Sequence, residues 1–295
     1  MSKKQKVVGQ HIVPATYLRK FCSDDNGKNI LYAFNKSNNK IICTRPEKIG
    51  KLNEFYETIQ EEQILEEVLS SFEEKYNLLF DKIKSGIKNL NFEDKELIAK
   101  FVALQFLRTE DMKNGWTEIS NAFLKIKDQM APSLRKEVEE FSKMENIRTG
   151  NKEFILKNFE EFAKIILNRK WILLLNETKM SYWTSDNPVC LYSPRKFGGV
   201  GLASPESELY FPLSPDYCLL ICDPEKCKDF PFEIKSMEEN IDFQRSLQIN
   251  YSNRFIFSRD NEFNLVEEAI RERPELSKIN RSSVKIVNPP DMRNF

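Results

Sequence analysis

A single histidine, His11, occurs in this chain, in the run Gln10-His11-Ile12-Val13-Pro14. Neutral imidazole is the commonest metal ligand and titrates near neutrality, so His11 is a candidate ligand and general base, although a lone histidine equally suits a structural role. In Leu65-Glu66-Glu67-Val68-Leu69-Ser70-Ser71-Phe72-Glu73, Glu66 and Glu73 are two helical turns apart and share a face beside the apolar stripe. Carboxylates there need a cation, an arginine or water, because an unpaired buried charge is costly. Glu54, in Asn53-Glu54-Phe55-Tyr56, has the same ambiguity. Gln105 and Arg108 lie three apart in the apolar run Phe101 to Thr109, hence on one face. The planar fork of Arg108 suits a carboxylate such as Glu66 or Glu73, or a substrate phosphate. Asp186 and Asn187 sit in Trp183-Thr184-Ser185-Asp186-Asn187-Pro188-Val189, just past a predicted strand. Scaffolds commonly present acidic ligands at such a place, and Asx-Pro sequences also make ordinary turns there.

One imidazole with several carboxylates is a hard-ligand set suited to Mg²⁺ or Mn²⁺. In that scheme His11, Glu66, Glu73 and Asp186 hold the metal, and His11, Glu73 and Arg108 carry the chemistry. Here His11 takes a proton from water and Arg108 stabilises developing phosphate charge. Gln105, Arg108 and Asn187 bind the substrate. The reaction expected is phosphodiester hydrolysis on nucleic acid by a metal-dependent nuclease, in the setting of a toxin or of antiphage defence. The alternative is a non-enzymatic binding or sensor module, whose polar residues form an internal network while its surface docks a protein, nucleic acid or second copy of the chain.

Other chemistries find less support. Pro215-Asp216 followed by Glu233-Ile234-Lys235 matches a second nuclease pattern, one that arises easily among so many charged residues. Cys218, Cys222 and Cys227 lack a further thiol or histidine at zinc-finger spacing. There is no glycine-rich phosphate loop, no Gly-x-Ser-x-Gly elbow and no His-Glu-x-x-His helix.

These residues need elements to position them. Pro14 favours extended backbone before it and a short helix after it, through Phe21. Residues 29–34 and 40–44 predict a hairpin about the polar tract from Asn35 to Lys40. Apolar recurrence at helical spacing predicts helices over 61–90, 92–127, 133–144 and 152–167. Beyond Trp171 the pattern changes to β-like runs at 171–175, 180–184, 208–213, 217–222 and 254–258, with helices at 237–247 and 262–270 and a last strand at 284–287. Strands at both ends without βαβ alternation predict an α+β fold in one domain: an N-terminal segment with the hairpin (1–57), a helical layer (58–168) and a sheet-rich region (169–295). The sheet is expected to be antiparallel or mixed, built from the hairpin and the C-terminal strands.

Bulk properties bound the setting. Lys plus Arg and Asp plus Glu balance at 45 each, so no global positive field advertises nucleic acid. The six cysteines are scattered and the start Met-Ser-Lys-Lys-Gln-Lys lacks an apolar signal stretch, which predicts reduced thiols in a cytoplasm. No apolar run approaches the roughly 20 residues of a membrane-spanning helix.

Taken in order, Gln10 to Pro14 with Tyr17-Leu18 and Phe21, Glu54-Phe55-Tyr56, Leu65-Glu66 with Glu73, Gln105 with Arg108-Thr109, Thr184 to Val189, and Phe211-Pro212-Leu213-Ser214-Pro215 resemble domain-of-unknown-function family 4238 (DUF4238). The resemblance spans about residues 10 to 260, and its most specific pieces are the His-Ile-Val-Pro and Ser-Asp-Asn-Pro blocks. It marks His11, Glu54, Glu66, Glu73, Gln105, Arg108, Asp186 and Asn187 as motif positions and implies no activity.

Overall fold

The computed structural model describes residues 10–11, 13–25, 28–49, 51–52, 59–194 and 201–279; within these, the side chains at 10–11, 24–25, 51–52, 59–69, 110–113, 144–145, 148 and 152 are not described. In chain order the N-terminal segment carries β1 (Gln10–His11), α1 (Ala15–Leu18), β2 (Ser23–Asp25), β3 (Lys28–Asn35), β4 (Lys40–Thr44) and β5 (Lys51–Leu52). The helical layer follows as α2 (Ile59–Lys84), α3 (Phe92–Leu107), α4 (Glu110–Ile126), α5 (Pro132–Phe141) and α6 (Met144–Leu167). After it come β6 (Lys170–Asn176), β7 (Thr184–Ser185), β8 (Cys190–Tyr192), β9 (Glu208–Ser214), β10 (Tyr217–Cys222), β11 (Glu233–Ser236), α7 (Glu238–Tyr251), β12 (Phe255–Ser258) and α8 (Asn264–Glu272).

The architecture is α+β, and its strands divide between two five-stranded sheets rather than one. The hairpin β3–β4 joins the C-terminal strand β12, which pairs β7 on its other side, while β2 folds back on β3. The second sheet runs β11-β6-β10-β9-β8 and is antiparallel except for the parallel pair β11–β6. β1 and β5 make a separate ribbon that pairs His11 with Lys51.

Alternation along β6, β9 and β10 explains why the second sheet is buried on both faces. Trp171, Leu173, Leu209, Phe211, Leu213, Leu219 and Ile221 point to the large core shared with α2, α3 and α6. Ile172, Leu174, Cys218, Leu220 and Cys222 point the other way, into a smaller cluster with Tyr182 and Ile241 of α7.

The helical layer departs from the sequence reading at one important point. The predicted helix over 92–127 is broken after Leu107, where Arg108 leaves helical geometry (φ −88°, ψ 25°) while its N–H still bonds to the Leu104 carbonyl at 2.9 Å. At its other end α3 is held by a capping box, with Asn91 accepting from Asp94 N–H and Asp94 accepting from Asn91 N–H. The turn from α2 into α3 passes through Gly86 at φ +125°, a backbone conformation that side chains other than hydrogen strain to adopt.

Other boundaries move by a few residues, as helix and strand ends do. In the 180–184 run only Thr184 is in a strand, whereas β8 and β11 were not anticipated. The predicted strand at 284–287 lies outside the described residues. No helix among the described residues is long and apolar enough to cross a membrane.

Candidate functional site

The geometry starts from Tyr17. It is fully buried, its ring stacks on Phe211 at 5.4 Å and lies against Tyr76 and Phe101, and its hydroxyl donates to the Pro212 carbonyl at 2.7 Å. Thr184 Oγ1 also lies 2.7 Å from that hydroxyl, so one residue of α1 ties the helical layer to strands of both sheets. Two residues on, Arg19 reaches the surface and sets Nε and Nη2 on one oxygen of Glu47, at 3.0 and 2.8 Å. That guanidinium holds the Glu47 carboxyl below its usual range.

Phe72 of α2 stacks on Phe101 of α3 with ring centroids 3.5 Å apart, which fixes the level of the two helices. They run antiparallel, so at about 1.5 Å of rise per residue the backbone of Glu66 and that of Arg108 lie roughly 9 and 10 Å from this stack in the same direction. Folding thus brings positions 66, 105 and 108 to one end of the helix pair. The side chains of Glu66 and His11 are not described, and Glu54 lies outside the described residues.

Glu73 follows Phe72 and is half-buried. Burial raises its pKa above the ordinary carboxylate value, while the guanidiniums of Arg19 and Arg108 pull it down. The structure therefore does bring Glu73 and Arg108 into electrostatic range. Arg19 was not singled out in the sequence, where only its place two residues beyond Tyr17 in the opening block hinted at it.

Arg108 is only 1% exposed. Expected either as a carboxylate partner or as a fork for substrate phosphate, it is packed inside the helical layer, where its charge acts on Glu73. Gln105, also 1% exposed, has an Nε2 with no hydrogen-bond partner among the described residues.

Asp186 departs furthest from expectation. Its Oδ1 accepts from Asn253 N–H at 2.9 Å, and its Oδ2 accepts from Arg254 and Phe255 N–H at 2.7 and 2.9 Å. Burial raises its pKa, while those three donors and the nearby Lys36 ammonium oppose the rise. A carboxylate so occupied organises the turn into β12 and has little left for a metal. Of the two roles expected for this motif, ligand presentation and an ordinary Asx-Pro turn, the hydrogen bonds of Asp186 are those of the turn.

The neighbouring residues belong to that turn as well. Asn187 donates its Nδ2 to the Tyr251 carbonyl at 3.3 Å, its own N–H bonds to Ser185 Oγ at 3.1 Å, and Ser185 lies 2.6 Å from Gln248 Oε1. Asn187, expected to bind substrate, here fastens the end of α7. Lys36, 0% exposed, donates to the carbonyls of Ile249 and Ser252 at 2.9 and 2.5 Å. Nothing in the sequence marked Lys36, since a lysine in a polar hairpin tract reads as solvated.

The second nuclease pattern does not assemble either. Asp216, between β9 and β10, accepts from Arg259 at 3.0 Å, whereas Lys235 on β11 bonds to Glu177 at 2.8 Å, with β6 between the two strands. Among the described residues no group of three or more His, Cys, Asp or Glu side chains is disposed to hold a metal ion.

A family model described as "Protein of unknown function (DUF4238)" matches residues 9–262. The chain belongs to DUF4238. That span takes in the buried Tyr17 junction, the Glu73 corner and the Asp186 turn, so the features described above lie within the DUF4238 region. No curated protein and no solved structure matches the chain.

Proposed function

We propose that this DUF4238 chain is a divalent-metal-dependent nuclease or phosphodiesterase whose reacting carboxylate is Glu73. The observation that carries the reading is a half-buried carboxylate in the electrostatic field of two guanidiniums, those of Arg19 and Arg108. Burial penalises the ionised form of Glu73, so a hard cation against it would relieve a cost already present, and the two positive groups suit the phosphate that such a cation would share. Glu73 fits that role as an oxygen donor, Glu66 and His11 would be the further ligands, and Asp186 is left to its turn. When bound, Mg²⁺ or Mn²⁺ would acidify a water and neutralise phosphate charge. His11 would take the proton from that water, Arg108 would bias the site towards anions, and the Gln105 amide would supply a donor beside them.

The test is to incubate the full chain with single- and double-stranded DNA and with RNA, with Mg²⁺, Mn²⁺ or a chelator. The expected outcome is metal-dependent cleavage that falls by about 100-fold or more in Glu73→Ala, a loss typical of a missing ligand or acid–base group, with unchanged circular dichroism. Absence of cleavage under every condition, or full cleavage by Glu73→Ala, overturns it. The burial of Lys36 on the Ile249 and Ser252 carbonyls and of Asp186 on three backbone N–H groups favours a second reading, a non-enzymatic module whose polar residues hold a docking surface in shape. That reading expects nucleic-acid or protein binding without turnover.

A further inference from the structure

A cleft of about 300 Å³ opens at the end of β10, lined by Glu206, Glu208, Cys222, Asp223, Lys226 and Cys227 among others. Cys222 is the last residue of β10 and Cys227 lies in the turn beyond it; they are 1% and 5% exposed and neither is in a disulfide. The intervening chain doubles back as one helical turn. Asp223 Oδ1 accepts from the N–H groups of Glu225 and Lys226 at 3.0 and 3.1 Å, and the Asp223 carbonyl accepts from Cys227 N–H at 3.0 Å. The turn carries the second thiol back towards the end of β10, so that both thiols line the cleft and belong to one buried cluster. Lys170 then fastens it by donating Nζ to the carbonyls of Cys227 and Lys228 at 2.7 and 3.1 Å.

We infer that Cys222 and Cys227 are a dithiol site which a peroxide entering the cleft oxidises to an intramolecular disulfide. One thiolate attacks a peroxide oxygen and the O–O bond breaks, giving a sulfenic acid and hydroxide, which takes up a proton to become water. The second thiol sulfur then attacks the sulfenic sulfur, forming the S–S bond and expelling a second water. Two thiols thus lose two electrons and two protons, and one hydrogen peroxide accepts them. The short loop and its fixed turn hold the second sulfur in place, so ring closure competes well against further oxidation of the first. Burial and the Glu208 carboxylate disfavour the Cys222 thiolate, and the Arg169 guanidinium favours it, so oxidation quickens as pH rises.

The test uses the full chain carrying Cys43→Ser, which removes an exposed thiol remote in sequence from the cleft. After hydrogen peroxide, the protein is unfolded in iodoacetamide, digested with trypsin and weighed. Cleavage after Lys226 separates the two cysteines unless sulfur joins them. The inference expects the peptide ending at Lys226, which also carries Cys218, to remain linked to that of Cys227 with two hydrogens lost, fragmentation to place the bond on Cys222 with Cys218 alkylated, and dithiothreitol to restore alkylation of Cys222 and Cys227. Cys227→Ser should stop at a trappable sulfenic acid on Cys222. Full alkylation of both cysteines, sulfinic acid without a link, or a bond to a different cysteine each overturns it.

Discussion

Replacing Asp186 by alanine is expected to cost the fold about 3–5 kcal/mol, a large loss for one side chain. Three backbone N–H groups, those of Asn253, Arg254 and Phe255, lose their acceptor together. Hydrogen bonds to a charged group contribute about 1.5–3 kcal/mol each, and a buried donor left alone costs about 1–3 kcal/mol. Water can reach Arg254, which is exposed, so the full penalty applies to the other two. The favourable field between Asp186 and the Lys36 ammonium is also lost, while the cost of burying the Asp186 charge is returned. Asparagine keeps one oxygen towards the turn, and Asp186→Asn should therefore lose about half as much. Urea unfolding of both variants, with the dependence on denaturant unchanged, measures the difference directly. If Asp186→Ala unfolds within about 1 kcal/mol of the parent chain, the carboxylate does not organise the turn and the reasoning fails.

Glu73 offers a test by pH. Its folded pKa lies above the unfolded value because of burial, so the folded chain keeps the proton to higher pH; this contribution is complete below the unfolded pKa and is lost as pH rises through the folded one. Glu73→Gln should accordingly raise Tm at neutral pH and lose that gain towards pH about 4, near the ordinary carboxylate value; a lower Tm at neutral pH would instead mark Glu73 as a stabilising ion-pair partner. Tyr17→Phe removes the hydroxyl shared by Pro212 and Thr184 and is expected to cost about 1–3 kcal/mol in a chemical-denaturation midpoint, whereas no change would mean that water replaces both bonds. An aromatic disulfide reagent should modify exposed Cys43 first and reach Cys190 and Cys218, both 0% exposed and both raised in pKa by burial, only when guanidinium unfolds the chain.

Hydrophobic periodicity is a local property, and it was enough to mark the helices of the central layer, the hairpin about Asn35 to Lys40 and the strand at Tyr217 to Cys222 from the residues alone. The α+β class followed, and the order of the motif blocks pointed to DUF4238, as the family match bears out. Long-range pairing was not legible. That β3 would take β12 as its neighbour, leaving β6, β9 and β10 to a separate sheet, depends on residues more than 200 positions apart meeting across a common core.

The fate of each charge was equally a tertiary matter. Asp186 and Lys36 look like solvated or ligand-bearing side chains until folding carries Asn253 to Phe255 and the end of α7 against them. Arg108 reads as either a carboxylate partner or a phosphate fork, and only the packing of α3 into the layer shows that it is buried. Sequence fixes which groups can ionise or donate; whether a group faces water, a backbone turn or a ligand is decided by what the rest of the chain places within about 3 Å of it, because desolvation and hydrogen bonding act only at contact.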